Sequence, residues 1–406
     1  MKLTLDTILK TKERIESVVR KTPLEFNEEL SKKYDCEVYL KREDLQQVRS
    51  YKIRGAYALL SSLTDAEKEK GVVCASAGNH AQGVAHSCNL LGIHGTIFMP
   101  RTTPYQKIAR TRHFGNEQLS IHIDGDSFDS TYEEAMRYCN EHDKLFVHPF
   151  DDERVIAGQA SVGLEIVEHC PHFDYVFVPV GGGGLVAGMI SAVGSHGKVI
   201  GVEASGSACM KAALAAGHPV DLQSVDRFAD GVAVRKAGAR CFAIAQEYNL
   251  DIVTVDDGAL ACIVLDLYQE HGIIAEPAGA LSIAALGQYP VKGRKVVCIL
   301  SGGNNDVNRY PEITERALLY KGLKHYFIID FPQRPGALRE FLDGVLGPTD
   351  DITLFEYMKK TNKETGPALV GIELAAARDY EGLVARMRGI QFRELKEDDL
   401  MMRYVV

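Results

Sequence analysis

The chain has 406 residues, 46% of them hydrophobic and 25% charged, with a formal net charge of −9. That length exceeds one typical core, so two or three domains are expected, and the composition is that of an ordinary globular protein. The acidic balance argues against nucleic acid or an anionic membrane as partner. Nine cysteines without a CxxC pair, and no secretory signal at the N-terminus, read as reduced thiols in a cytoplasmic protein.

In chain order, the first informative stretch is RSYKIRGAYALL, residues 49–60. Ser50 reads as a helix N-cap and residues 56–60 are strong helix formers, which puts Lys52 and Arg54 in the first turn. The helix macrodipole disfavours cations there. Two readings are open at this point. One is a solvated surface lysine that tolerates a small penalty; the other is an amine whose pKa falls through the dipole and partial burial, making it a nucleophile or base.

From about residue 35 to 320, strand and helix patterns alternate. CEVYLKRED, GVVCAS, HGTIFMP, DYVFVPV, KVIGVEA and KVVCILSGG read as buried strands, with helical AQGVAHSCNLLG and GQASVGLEIVEH between them. This is the pattern of an α/β domain with parallel sheets, in which ligands bind at the carboxyl ends of strands. Residues 175–197 carry no Asp, Glu, Lys or Arg over a length that could span a bilayer, but Pro179 and four consecutive glycines break the run. No membrane segment is expected.

Three loops follow predicted strands. In SAGNHAQG, Ser76, Gly78, Asn79 and His80 open a helix suited to an anion such as a carboxylate; His80 is an acid–base candidate or a packed histidine. In GGGGL, Gly181, Gly182, Gly183, Gly184 and Leu185 expose backbone N–H groups at a helix start, which suits a phosphate. The same loop satisfies a relaxed GxGxxA dinucleotide fingerprint through Gly182, Gly184 and Ala187, with Glu203 closing the next strand as a ribose-binding acid would. A Rossmann dehydrogenase is therefore a live alternative from this loop alone. In SGGNN, Ser301 offers a hydroxyl at the end of a strand. A phosphate cradle, an anion loop, a hydroxyl and a misplaced lysine together suit pyridoxal phosphate, which needs a lysine, a phosphate site and a partner for its ring nitrogen.

After Lys321 the pattern becomes strand, helix, strand, strand, helix, strand, the ferredoxin-like order. The expected domains are residues 1–321 and 322–406.

SYKIRGA, SAGNHAQG, GGGGL, DGVAV, AEPAGAL and SGGNN, in this order, resemble the threonine dehydratase (threonine ammonia-lyase) family. The tail with FPQRPGALREFL resembles the ACT-like regulatory domain of the biosynthetic branch, in a single copy. The resemblance implies a tryptophan-synthase-β-like (type II) pyridoxal-phosphate fold and a carbon–nitrogen lyase that turns L-threonine into 2-oxobutanoate and ammonia, the first step of isoleucine biosynthesis. It implies that Lys52 carries the cofactor, that Asn79 bonds its ring hydroxyl, that residues 181–185 hold its phosphate and that Ser301 faces its ring nitrogen. Ser76, Gly78 and His80 would bind the substrate carboxylate. Tyr51 stands where many relatives have Phe. Cys209 replaces a carboxylate that, with the equivalent of Glu203, binds a cation in related racemases, so no metal is assigned. L-serine is an expected side substrate, isoleucine the expected inhibitor with valine as a candidate counter-effector, and a homotetramer the expected assembly. A serine racemase of the same fold and a non-enzymatic amino-acid sensor are the other readings.

Overall fold

The computed structural model describes residues 3–359, 362–396 and 399–405, so the expected strand ends at Lys360 and at 397–398 lie outside the described residues. The chain forms two compact units, Met1–Asp306 and Val307–Val406.

The first unit holds two sheets. The larger runs in the order Leu24–Phe26, Glu37–Arg42, Lys295–Leu300, Tyr175–Pro179, Lys198–Ala204, Asp251–Val255. Its first pair is antiparallel and the other four are parallel. The smaller is parallel throughout, in the order Leu119–Ile123, Gly95–Met99, Val72–Ala75, Leu145–Phe146. Strands covered on both faces read as continuous apolar runs, and Val72–Ala75 is buried at every position. Each sheet anchors its own core. Val176, Val178, Val297 and Ile299 pack with Leu185 and Val186 around the larger sheet. Val72, Cys74 and Ile97 pack with Ile53, Leu59 and Val84 around the smaller. Each such aliphatic side chain stabilises the fold by about 1.5–3 kcal/mol on burial.

The run at residues 175–197 resolves as expected into strand Tyr175–Pro179, a loop and helix Gly184–Val193. Among the described residues no helix is long and apolar enough to cross a membrane. The expected cap at Ser50 is not formed. Helix Lys52–Leu60 has Tyr51 at its N-cap position. Ser50 instead makes an antiparallel bridge to Gly302, the Tyr51 N–H donates to the Ser301 carbonyl (3.1 Å), and the Ser50 hydroxyl is buried without a partner among the described residues. Tertiary pairing has overridden the local preference.

The second unit carries a four-stranded antiparallel sheet in the order Asp351–Tyr357, Thr365–Glu373, Lys324–Pro332, Phe392–Glu394. Helices Ala337–Val345 and Tyr380–Arg386 contribute Phe341, Val345 and Leu383 to the core on one face. That is the ferredoxin-like arrangement expected of the tail.

Candidate active site

Three strands of the first unit end in the loops singled out above. Val72–Ala75 leads through Ser76 into helix Asn79–Leu91, Tyr175–Pro179 leads into helix Gly184–Val193, and Lys295–Leu300 ends at Ser301. Partial exposure recurs at Tyr51, Lys52, residues 76–79, residues 148–151, Gly181 and Asn304, within elements that are otherwise buried.

Lys52 is the first residue of its helix, and its amine donates to the Pro149 carbonyl at 3.0 Å. Burial is the main force on it and pushes its pKa down to about 8, while Cys241 and Glu276 push the other way. Two residues on, Arg54 is fully buried and answers for the other first-turn cation. Its guanidinium binds Glu43 (Nε to Oε2, 2.7 Å) and Glu165 (Nη1 to Oε1, 2.6 Å), and Lys41 joins Glu165 at 2.6 Å. The two cations and two carboxylates balance, so a buried charge cluster pins the start of the lysine helix to helix Glu153–His169.

Residues 148–151 join the lysine to the glycine loop. The Phe150 ring lies under that loop, and a Cβ at Gly182 would sit 2.4 Å from its ring atoms. Gly183 takes a left-handed φ of 102° at the helix N-cap, a conformation that suits glycine. The first N–H groups of helix Gly184–Val193 have no intrahelical partner, and the helix dipole places positive charge there. Asp151 accepts from the backbone N–H groups of Ala239 (3.0 Å) and Arg240 (2.9 Å), which fixes the start of helix Ala239–Tyr248 beside the loop.

Asn79 opens its helix with both ends of its amide engaged. Nδ2 donates to Glu276 Oε1 at 2.5 Å, and Oδ1 accepts from Asn304 Nδ2 at 2.7 Å. Burial raises the Glu276 pKa to about 7. The Ser76 hydroxyl accepts from the Gly78 N–H at 3.2 Å. His80 is buried, its Nε2 sits 2.9 Å from the Val147 carbonyl, and burial lowers its pKa to about 3. It is a packed neutral histidine in this arrangement. The Ser301 hydroxyl is buried and donates to the Ala278 carbonyl at 3.3 Å. Glu203 uses both oxygens on the N–H groups of Met210 (2.7 Å) and Lys211 (2.9 Å), so it caps helix Cys209–Ala216.

The structure thus ties Lys52, Asn79, the glycine loop and Ser301 together through Pro149, Phe150 and the 301–304 loop. Sequence reasoning missed Glu276, Phe150 and Asn304. Glu276 lay inside AEPAGAL and Asn304 inside SGGNN, but no spacing marks which way those side chains face.

A family model described as pyridoxal-phosphate dependent enzyme matches residues 15–302, and one described as the C-terminal regulatory domain of threonine dehydratase matches residues 315–405. The chain is 48% identical to the biosynthetic L-threonine dehydratase IlvA of Halalkalibacterium halodurans, covering 100% of both chains. It is 50% identical to that of Bacillus subtilis, covering 97% of this chain and 95% of the relative. The chain belongs to the pyridoxal-phosphate-dependent threonine dehydratases.

Among solved structures, threonine deaminase isoform 2 of Solanum lycopersicum in its processed form matches with TM-score 0.72 and 37% identity, over 78% of this chain and 96% of that one. Maize serine racemase matches with TM-score 0.72 at 28% identity, over 79% and 99%. Fold likeness alone therefore covers both dehydratase and racemase; the regulatory-domain match and the near full-length dehydratase relatives favour the dehydratase. The dinucleotide reading of the glycine loop is overturned by the pyridoxal-phosphate family match over residues 15–302. Glu203, the supposed ribose acid, is spent on capping a helix.

The donor set of this threonine dehydratase fits its cofactor. A partly exposed amine of lowered pKa, a helix N-terminus lined by side-chain-free residues, an oriented amide and a neutral hydroxyl are grouped in one place, each of a kind one part of pyridoxal phosphate requires.

Proposed function

We propose that the chain deaminates L-threonine to 2-oxobutanoate and ammonia at the site built around Lys52, with L-serine as a side substrate. The observation that carries this reading is that one short segment holds both ends of the site: Pro149 accepts from the lysine amine, and the adjacent Phe150 packs beneath Gly182. When bound, pyridoxal phosphate supplies a carbonyl that condenses with amines and a ring that draws electron density from the substrate's α-carbon.

The protein's own groups supply the rest. The N–H groups at the glycine loop hold the phosphate. Asn79 bonds the ring hydroxyl. The Ser76 hydroxyl, already accepting from Gly78, keeps its own hydrogen for the substrate carboxylate, which the start of helix Asn79–Leu91 also attracts. His80 acts by packing under that loop. The Lys52 amine, neutral in a useful fraction near neutral pH, takes the α-proton. The α-hydrogen and the β-hydroxyl leave together as water. The released enamine tautomerises and takes up water, which frees ammonia. Ser301 would turn its one hydroxyl hydrogen from the Ala278 carbonyl to the ring nitrogen, so no carboxylate holds that nitrogen protonated, and elimination is favoured over racemisation.

Isoleucine as inhibitor, opposed by valine, is the regulatory reading we attach to residues 322–406, with residues 1–321 catalytic. A homotetramer in the cytoplasm completes it; nine buried free thiols suit a reducing compartment. The test is an assay of 2-oxobutanoate from L-threonine with the full chain and with Lys52→Ala. The variant is expected to retain its circular dichroism spectrum and lose turnover by at least about a hundredfold. Substantial product from Lys52→Ala would remove the lysine from the reaction.

A further inference from the structure

Asn79 can face the cofactor in two ways, donating or accepting, according to which end of its amide points inward. The structure settles the choice from a backbone atom outward. The Val48 carbonyl can only accept, and Asn304 Nδ2 lies 2.8 Å from it, so that end of Asn304 is the nitrogen. The same Nδ2 lies 2.7 Å from the Asn79 amide, whose facing atom must therefore be Oδ1. Asn79 Nδ2 is then the atom 2.5 Å from Glu276 Oε1, and that carboxyl oxygen accepts. With one Nδ2 hydrogen committed to Glu276, the second is left for a ligand.

We infer that Asn304, anchored on Val48 O, is a positioning residue that fixes Asn79 as a hydrogen-bond donor toward the cofactor's ring oxygen, with Glu276 as the acceptor that ends the chain. The inference rests on the reading that Asn79 touches that oxygen. The surroundings leave little freedom. A Cβ at Gly302 would lie 2.2 Å from Glu276 Oε1 and 3.3 Å from Asn79 Nδ2, so the 301–304 loop closes directly over the pair. The Glu276 N–H in turn donates to the Gly302 carbonyl at 3.2 Å, and the Gly303 N–H to the Arg49 carbonyl at 2.9 Å.

Asn304→Asp replaces the anchoring donor by an acceptor, which attracts Asn79 Nδ2 and turns its oxygen inward. Titrating the full-length, cofactor-free chain with pyridoxal phosphate is expected to show affinity weakened by about tenfold or more, with a lower thermal midpoint. Adding Glu276→Gln gives the turned Asn79 oxygen a donor. The double variant is expected to regain part of the midpoint while its affinity stays at the Asn304→Asp level, a split that a purely structural role does not produce. Affinity that recovers with the midpoint, or Asn304→Asp binding like the parent, would overturn the inference. Asn79→Ala is the control. If it binds the cofactor as the parent does, the contact between Asn79 and the ring fails, and this inference falls with it.

Discussion

The Lys52 amine donates to the Pro149 carbonyl, and the carboxyl and thiol that act on it, Glu276 and Cys241, do not offset the cost of enclosing a charge. Its pKa therefore falls to about 8, a fall caused by burial against the opposing pull of Cys241 and Glu276. Capture of an aldehyde needs the neutral amine, whose fraction rises about tenfold per pH unit below the pKa and is nearly constant above it. The rate at which cofactor-free protein captures pyridoxal phosphate should climb to about pH 8 and then level off. Stopped-flow absorbance over about two pH units either side of that turning point measures this. A rate still climbing steeply above pH 9 would mean that the amine titrates like one in water.

At the scale of elements, Arg54 explains how a helix can begin with cations. Its guanidinium is not left to the macrodipole: Glu43 and Glu165 bind it from a 3-10 turn and from the neighbouring long helix, and Ser161 adds a bond at 2.9 Å. Removing one partner of a buried, paired cluster strands the others. Arg54→Met should destabilise the first unit by about 3–5 kcal/mol, because two buried carboxylates would face Lys41 alone. Denaturant unfolding of the full chain measures this, and a loss below about 1 kcal/mol would show the cluster to be dispensable. The elements differ in how much of this the sequence disclosed. Both sheets' central strands, the loops at their carboxyl ends and the ferredoxin-like tail were legible, because buried parallel strands are unbroken apolar runs and glycine-rich turns stand out. Strands Leu24–Phe26 and Leu145–Phe146 are too short to show any period. The Ser50 cap failed because a bridge to Gly302 claims its backbone, and the Asn79–Glu276 bond spans 197 positions that no local pattern connects.

The whole molecule joins the unit that carries Lys52 and the glycine loop to one whose sheet is covered on both faces. Helices Ala337–Val345 and Tyr380–Arg386 pack on Phe327, Ile329 and Phe331. On the other face Tyr326 packs with Leu395, Met402 and Leu319, the last from helix Tyr310–Tyr320. That helix also sends Glu315 to the Tyr326 hydroxyl at 2.7 Å and to the Lys324 amine at 2.5 Å. A chain ended after Lys321 would keep the helix without the strand it packs on, whereas one ended after Asp306 follows the division between the compact units. Feedback control requires that isoleucine bind two states of the enzyme unequally, and coupling of this kind is typically about 1–3 kcal/mol, or about five- to 150-fold in affinity. Isoleucine should therefore raise the threonine concentration needed for half-maximal rate by a factor in that range for the full chain. It should leave both shortened chains unaffected, with the Asp306 form the more soluble of the two because it carries no stranded apolar helix face. Titrating isoleucine against the three forms, with 2-oxobutanoate production as the readout, checks each part. Inhibition that persists undiminished in the Asp306 form would place the effector site in the catalytic unit, and a full chain indifferent to isoleucine would leave the second unit a role in assembly alone.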